Sequence, residues 1–426
     1  MSLMEDHPLR YDLSNELHAR PFPSLQAPSR AVFLAIKQAG SAEERDRAAD
    51  RAHLIALLDR YGLDHPKPGA THYTGQLGRH TLKWEQHTEF ITYTVFLAGL
   101  SDRAFDPADF EVFPEDWLAA APGVRLTSAI VRVEPRPDDA VISDRIGAWF
   151  VPESVAVSRV VDEGAVVAGD FRIDEAGHMR FAVFASANTG QRRIGRIVQR
   201  LCEIETYKTM SMLGLARVRA MGRRLNEIDI SLTGLMEDMA HENRGADATL
   251  HKLLSVAAEL ETMIAQSSFR FGATKAYEAI VNQRIDVLRE MRFTGRQTIA
   301  EFMMRRYDPA MRTVASSEQR LRAMSERAIR AGDLLRTRVD VERSAQNQAL
   351  LESMDRRADL QLRLQKTVEG LSVVAISYYA VSLAGYLLYP VAAGMGVSKN
   401  MLTAIVTLPV VVIVWLMIHR IRNKME

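Results

Sequence analysis

The chain has 426 residues, with 54 basic side chains against 53 acidic ones and a net charge of +1. That balance excludes the chain-wide basic field of a dedicated nucleic-acid binder. A single cysteine, Cys202, excludes an intrachain disulfide framework and a Cys-x-x-Cys metal site. Residues 1–30 hold four prolines, at 8, 21, 23 and 28, which forbid a long helix there. Within this arm, His18 and Arg20 are candidates either to grip a phosphate or carboxylate or to tie down the arm itself. Residues 31–60 read as a short helical or mixed segment, with Glu43, Glu44, Arg45, Asp46 and Arg47 on a polar face. Strand-like stretches follow at Thr81–Trp84, Glu89–Leu97, Leu126–Val133, Ser154–Val161, Ala165–Ile173 and Met179–Ala185. They are rich in Val, Ile, Thr and aromatic residues with period-two alternation. Asp174-Glu175-Ala176-Gly177 is a hairpin turn signal between the last two.

From Thr189 the pattern turns helical. Residues 1–240 therefore read as an α+β domain with a mostly antiparallel sheet and helices behind it. Residues 241–369 are rich in Ala, Leu, Arg, Glu and Gln, with Pro309 alone among prolines. Leu250, Leu253, Ala257, Leu260 and Ile264 follow a heptad seam. Asp308-Pro309 has the chemistry of a helix start, Asp as N-cap and Pro as first helical residue. The helix it opens carries Leu321, Met324, Ala328, Ala331 and Leu335, then Leu351, Met354, Ala358 and Leu362. The expectation is a long antiparallel, coiled-coil-like helical stalk, self-associating within the chain or between chains into a homo-oligomer.

Residues 370–426 hold two apolar runs, about 371–393 and 401–418, each long enough to cross a ~30 Å hydrocarbon core. Arg356, Arg357, Arg363 and Lys366 precede the first, and His419, Arg420, Arg422 and Lys424 follow the second. The loop between holds only Lys399, so both ends are expected on the cytoplasmic side of a bilayer hairpin. No charged-then-apolar signal segment opens the chain, so the first ~370 residues are expected to remain in the cytoplasm. Ala375, Tyr378, Ser382, Gly385 and Tyr389 form one face of the first span. Small and hydroxyl residues there suit close helix packing, or the lining of a narrow pore in an oligomer. Pro409 should kink the second span.

Candidate chemistry is sparse. On one continuous strand, Glu85, His87 and Glu89 would share a face and could hold a divalent metal. If a turn interrupts the strand, the segment is instead an exposed hairpin with a polar face. Phosphate-loop, dinucleotide, nucleophile-elbow and zinc-protease motifs are absent, so no catalytic residue and no cofactor is assigned. Cys202 falls on an amphipathic helix as packing.

Three stretches together resemble a bacterial family of uncharacterised, membrane-anchored proteins. They are Glu16-Leu17-His18-Ala19-Arg20-Pro21, Trp84-Glu85-Gln86-His87-Thr88-Glu89-Phe90, and the run from Gln365 to Tyr379. The resemblance implies anchoring in the inner membrane and supplies no activity. The architecture also resembles the CorA-type magnesium channels, which would make the chain a homo-oligomeric cation channel. That family has Tyr-Gly-Met-Asn after its first span. Here Gly394-Met395-Gly396 follows an alanine, and the next asparagine is Asn400. The departure falls on the residues that select the ion in that family. A membrane-bound sensor or scaffold, with the bilayer and other copies of itself as partners, is the leading expectation.

Overall fold

A computed structural model describes residues 4–16, 22–40, 45–240 and 246–425. The elements run α1 (Arg10–Glu16), β1 (Ser29–Lys37), α2 (Arg47–Arg60), β2 (His72–Leu77), β3 (His80–Gln86) and β4 (Ile91–Ala98). They continue α3 (Glu115–Ala119), β5 (Val124–Pro135), α4 (Asp139–Trp149), β6 (Ala156–Val160), β7 (Ala165–Gly169) and β8 (Met179–Ala185). Last come α5 (Gln191–Ala240), α6 (Ala246–Asp286), β9 (Met291–Arg292), α7 (Ile299–Arg306), α8 (Asp308–Gly394) and α9 (Lys399–Met425). The strands form one sheet of nine in the order β2-β3-β4-β1-β5-β8-β7-β6-β9. Among the described residues β5–β8 is the one parallel pair, so the expected antiparallel character holds.

Residues 31–60 are mixed, a strand and then a helix. The first part is β1, near the middle of the sheet between β4 and β5, and the second is α2. Glu43 and Glu44 lie outside the described residues. Alternate β1 side chains enter two cores. Val32 and Leu34 pack with Leu54 and Leu57 of α2, Trp84 of β3 and Trp117 of α3. Ala31 and Phe33 pack with Ile197, Val198 and Leu201 of α5. A strand covered on both faces needs apolar residues at every position, so it shows no period-two signal.

Local chemistry sets the helix starts. The Asp46 carboxylate accepts hydrogen bonds from the backbone N–H groups of Ala48 and Ala49 and opens α2. Thr298 and Glu301 form a reciprocal capping box on α7. Within the first core, His53 stacks on Trp117 with ring centroids 3.9 Å apart. Its Nε2 lies 3.0 Å from the Trp117 carbonyl, and its Nδ1 lies 2.9 Å from the Tyr93 hydroxyl. The carbonyl accepts only, so Nε2 carries the proton and Nδ1 accepts from Tyr93. Burial lowers the imidazole pKa below its ordinary value, and the ring serves as a satisfied core group.

The chain divides into two compact units. The first, Met1–Glu242 with His251–Ala331, contains the sheet and a helical core. There Leu225, Ile228 and Leu232 of α5 meet Leu253 and Leu260 of α6 and Leu321 and Met324 of α8. The seam read from the sequence is thus buried inside one chain, and α5 supplies a third helix to it. The second unit, Asn243–Leu250 with Gly332–Glu426, contains the rest of α8 and α9. Leu335 and Val339 are buried, whereas Leu351, Met354 and Leu362 are exposed. α8 runs unbroken through Gly332, Gly370 and Pro390, as α9 does through Pro409. Both helices contain a stretch long and apolar enough to cross a membrane.

Candidate functional site

In the first unit the chemistry gathers around the turn from β3 to β4. Gln86 ends β3 and Ile91 begins β4, and the His87 N–H donates to the Phe90 carbonyl at 2.9 Å. The turn breaks the alternation on which a shared Glu85, His87 and Glu89 face depended. Each side chain finds its own partner. Glu85 Oε1 lies 3.1 Å from Lys83 Nζ. Glu89 accepts from both terminal nitrogens of Arg270, and from the Tyr277 hydroxyl at 3.0 Å. His87 stacks on Phe90 with centroids 4.4 Å apart. Among the described residues no group of three or more His, Cys, Asp or Glu side chains is placed to hold a metal ion. Nor is the polar face exposed, since Glu89 is only 2% accessible.

Glu89 is the pivot of this site. Arg270 and Tyr277 come from α6, so the turn is fastened to a helix 181 residues further along the chain. Arg45 fastens its other side. It donates to the His87 carbonyl and pairs with Asp50 Oδ2, its Nε lying 2.7 Å from that oxygen. Burial and then the Glu89 charge raise the Tyr277 phenol pKa, so it stays a neutral donor. Burial lowers the pKa of the nearby Lys37 ammonium; Glu89 opposes this, and Arg270 and Arg45 add to it.

Beside the turn lies an open cleft of about 340 Å³, lined by Arg47, Gln86, His87, Phe90, Tyr207 and Tyr277 among others. Tyr207 and Tyr277 stack at 5.6 Å, and Phe90 meets Tyr207 edge-on at 6.0 Å. An aromatic wall with one guanidinium at the rim suits a small planar or anionic molecule. Behind it, Lys83 donates to Gln199, which donates to Glu203, which pairs with Arg284. This polar layer lies between the sheet and α5, and leaves a void of only about 30 Å³ beside Cys202. Burial raises the Cys202 thiol pKa, which keeps it protonated and unreactive.

Sequence reasoning found Glu85, His87 and Glu89 but missed Arg45, Tyr207, Arg270 and Tyr277. The one available signal was Phe269-Arg270-Phe271, a charge set between aromatic residues on an otherwise amphipathic helix. His18 and Arg20 lie outside the described residues.

In the second unit a groove of about 530 Å³ runs between α8 and α9. Tyr378, Ser382 and Gly385 line it, facing α9, whereas Tyr389 is not part of its wall and is 45% exposed. The α9 side carries Thr403 and Thr407, whose hydroxyls donate to the carbonyls of Lys399 and Thr403. Ser377 is buried, and its hydroxyl has no hydrogen-bond partner among the described residues.

Fold and site together define an α+β protein with long helices and two apolar segments near its C-terminus, without a recognisable catalytic centre among the described residues. The family described as "Protein of unknown function (DUF3422)" matches residues 5–425, and the chain belongs to it. No curated protein matches the chain, and no solved structure does.

Proposed function

We propose that this chain is a self-associating integral membrane protein of the bacterial inner membrane, in which the α+β part works as a cytoplasmic sensor or scaffold. The observation that carries the reading is the bare apolar surface of α8 and α9. Only 6% and 11% of their apolar windows are buried. Leu371, Val374, Tyr379, Leu387, Leu408 and Ile413 are all more than half exposed. So much contiguous apolar surface needs lipid around it. The flanking basic residues then set both termini on the cytoplasmic side. The aromatic cleft beside the Glu89 turn is the place where a sensed molecule would enter.

Self-association rests on a different stretch from the seam first read, because that seam is filled within the chain. Leu351, Met354, Ala358 and Leu362 recur at spacings of three, four and four along one face of α8 and are exposed. Two copies in one bilayer point the same way, so these rows meet in parallel and Met354 faces its own counterpart. The chain's single cysteine is buried, so an introduced thiol reports cleanly. Oxidation of Met354→Cys in native membranes should yield a disulfide-linked dimer, while Arg356→Cys, on another face of the helix, should yield little. Equal yields from both variants, or no dimer from the first, would count against the reading.

A further inference from the structure

We infer that the groove between α8 and α9 holds one anionic phospholipid, with its phosphate at Lys399 and an acyl chain laid along the groove. The inference rests on the membrane reading above.

The groove has two unlike ends. Tyr386 and Lys399 close one, and Val373 and Val411 the other. From Val373 to Tyr386 the helix rises by about 20 Å, more than half of a ~30 Å hydrocarbon core. That length suits a lipid, headgroup to tail, better than a small solute. The volume lies within the range of ligand-binding clefts.

Charge selects the lipid. Lys399 has no carboxylate partner among the described residues, and its Nζ rests 5.8 Å from the centroid of the Tyr386 ring. Residues 370–425 contain no Asp or Glu at all. The partner for this cation must therefore come from outside the hairpin. Lys399 is also the first residue of the 27-residue helix α9, so the backbone N–H groups at that end add to the positive field. A phosphate in the interfacial layer answers both, and the Tyr386 ring beside it is amphipathic, as interfacial aromatic residues are.

The groove walls fit the rest of the molecule. Ser382 lines it about 6 Å deeper than Tyr386, at the depth of the glycerol esters. Thr403 and Thr407 spend their hydroxyl protons on their own helix and present methyl groups and lone pairs. Gly385 keeps the floor open, since a Cβ built there meets nothing within 4 Å. A larger side chain at this position would start into open space and reduce the room in the channel.

The test uses the full chain purified in a mild detergent and observed by native mass spectrometry. Phosphatidylglycerol and phosphatidylcholine of identical acyl chains are titrated separately, with inorganic phosphate as a third arm. The expected result is about fivefold tighter retention of phosphatidylglycerol, the effect of one lysine near an anionic headgroup. Lys399→Gln should bring it down to the level of phosphatidylcholine. Gly385→Leu should weaken both lipids, whereas Gly370→Leu, also in open space but outside the groove, should weaken neither. Inorganic phosphate alone should not be retained. Equal retention of the two lipids, or an unchanged preference in Lys399→Gln, would overturn the site while leaving the membrane reading intact. Loss of a dimer in Gly385→Leu with lipid retention unchanged would give the groove to a second copy instead. A chain that stays dispersed without detergent would overturn both readings.

Discussion

Leu260→Asp should cost about 4 kcal/mol or more of stability, because it removes a buried leucine and leaves an unpaired carboxylate in its place. Leu260 is fully buried where α5, α6 and α8 meet. Its neighbours include Leu232 and Leu321, which offer no hydrogen-bond partner to a carboxylate. Leu254 stands on the same helix and is 54% exposed, so Leu254→Asp should change little. Thermal unfolding of the two purified variants beside the parent checks the pair. An unshifted midpoint for Leu260→Asp, or matched losses in both variants, would contradict the three-helix core.

The second large effect belongs to Glu89 and Arg270. Their side chains are 1% and 16% exposed. Removing one member of a buried ion pair strands the other, at about 3–5 kcal/mol. Arg270→Met should therefore destabilise strongly, leaving Glu89 with the Tyr277 hydroxyl alone among its named side-chain donors. Glu89→Gln keeps the shape and loses the charge, and should cost less because the amide oxygen still accepts. Combining Glu89→Gln with Arg270→Met should recover part of the loss, since no buried charge is then left unpaired. Denaturation of all four forms gives the coupling between the sites. Strict additivity would mean that the pair does not fasten the turn to α6.

The apolar segments near the C-terminus were legible because their signal is long. The structure ends α8 at Gly394 and begins α9 at Lys399, close to the breaks that glycine and polar residues mark in the sequence. Met179–Ala185 was legible through the Asp174-Glu175-Ala176-Gly177 turn that precedes it, although six of the seven β8 residues are buried. β1 was not, because burial on both faces erases alternation and an apolar run of that length also fits a helix. β2, whose six residues include a glycine, was too weakly patterned to stand out. For Glu85, His87 and Glu89 the sequence left open a continuous strand or a turn, because alternation alone does not show where a strand ends. What that turn is for lies in Arg270 and Tyr277. Partners so distant in sequence leave no local trace, and only the fold brings them together.

The proposed bilayer hairpin of α8 and α9 sets the α+β part on the cytoplasmic side. Paired reporters test it most directly, one enzyme active only outside the cytoplasm and one fluorescent only within it. Each is fused after Glu426 and, separately, inserted at Ser398. Cytoplasmic signal after Glu426 and external signal at Ser398 are the expected results. The same side reported at both positions would contradict it.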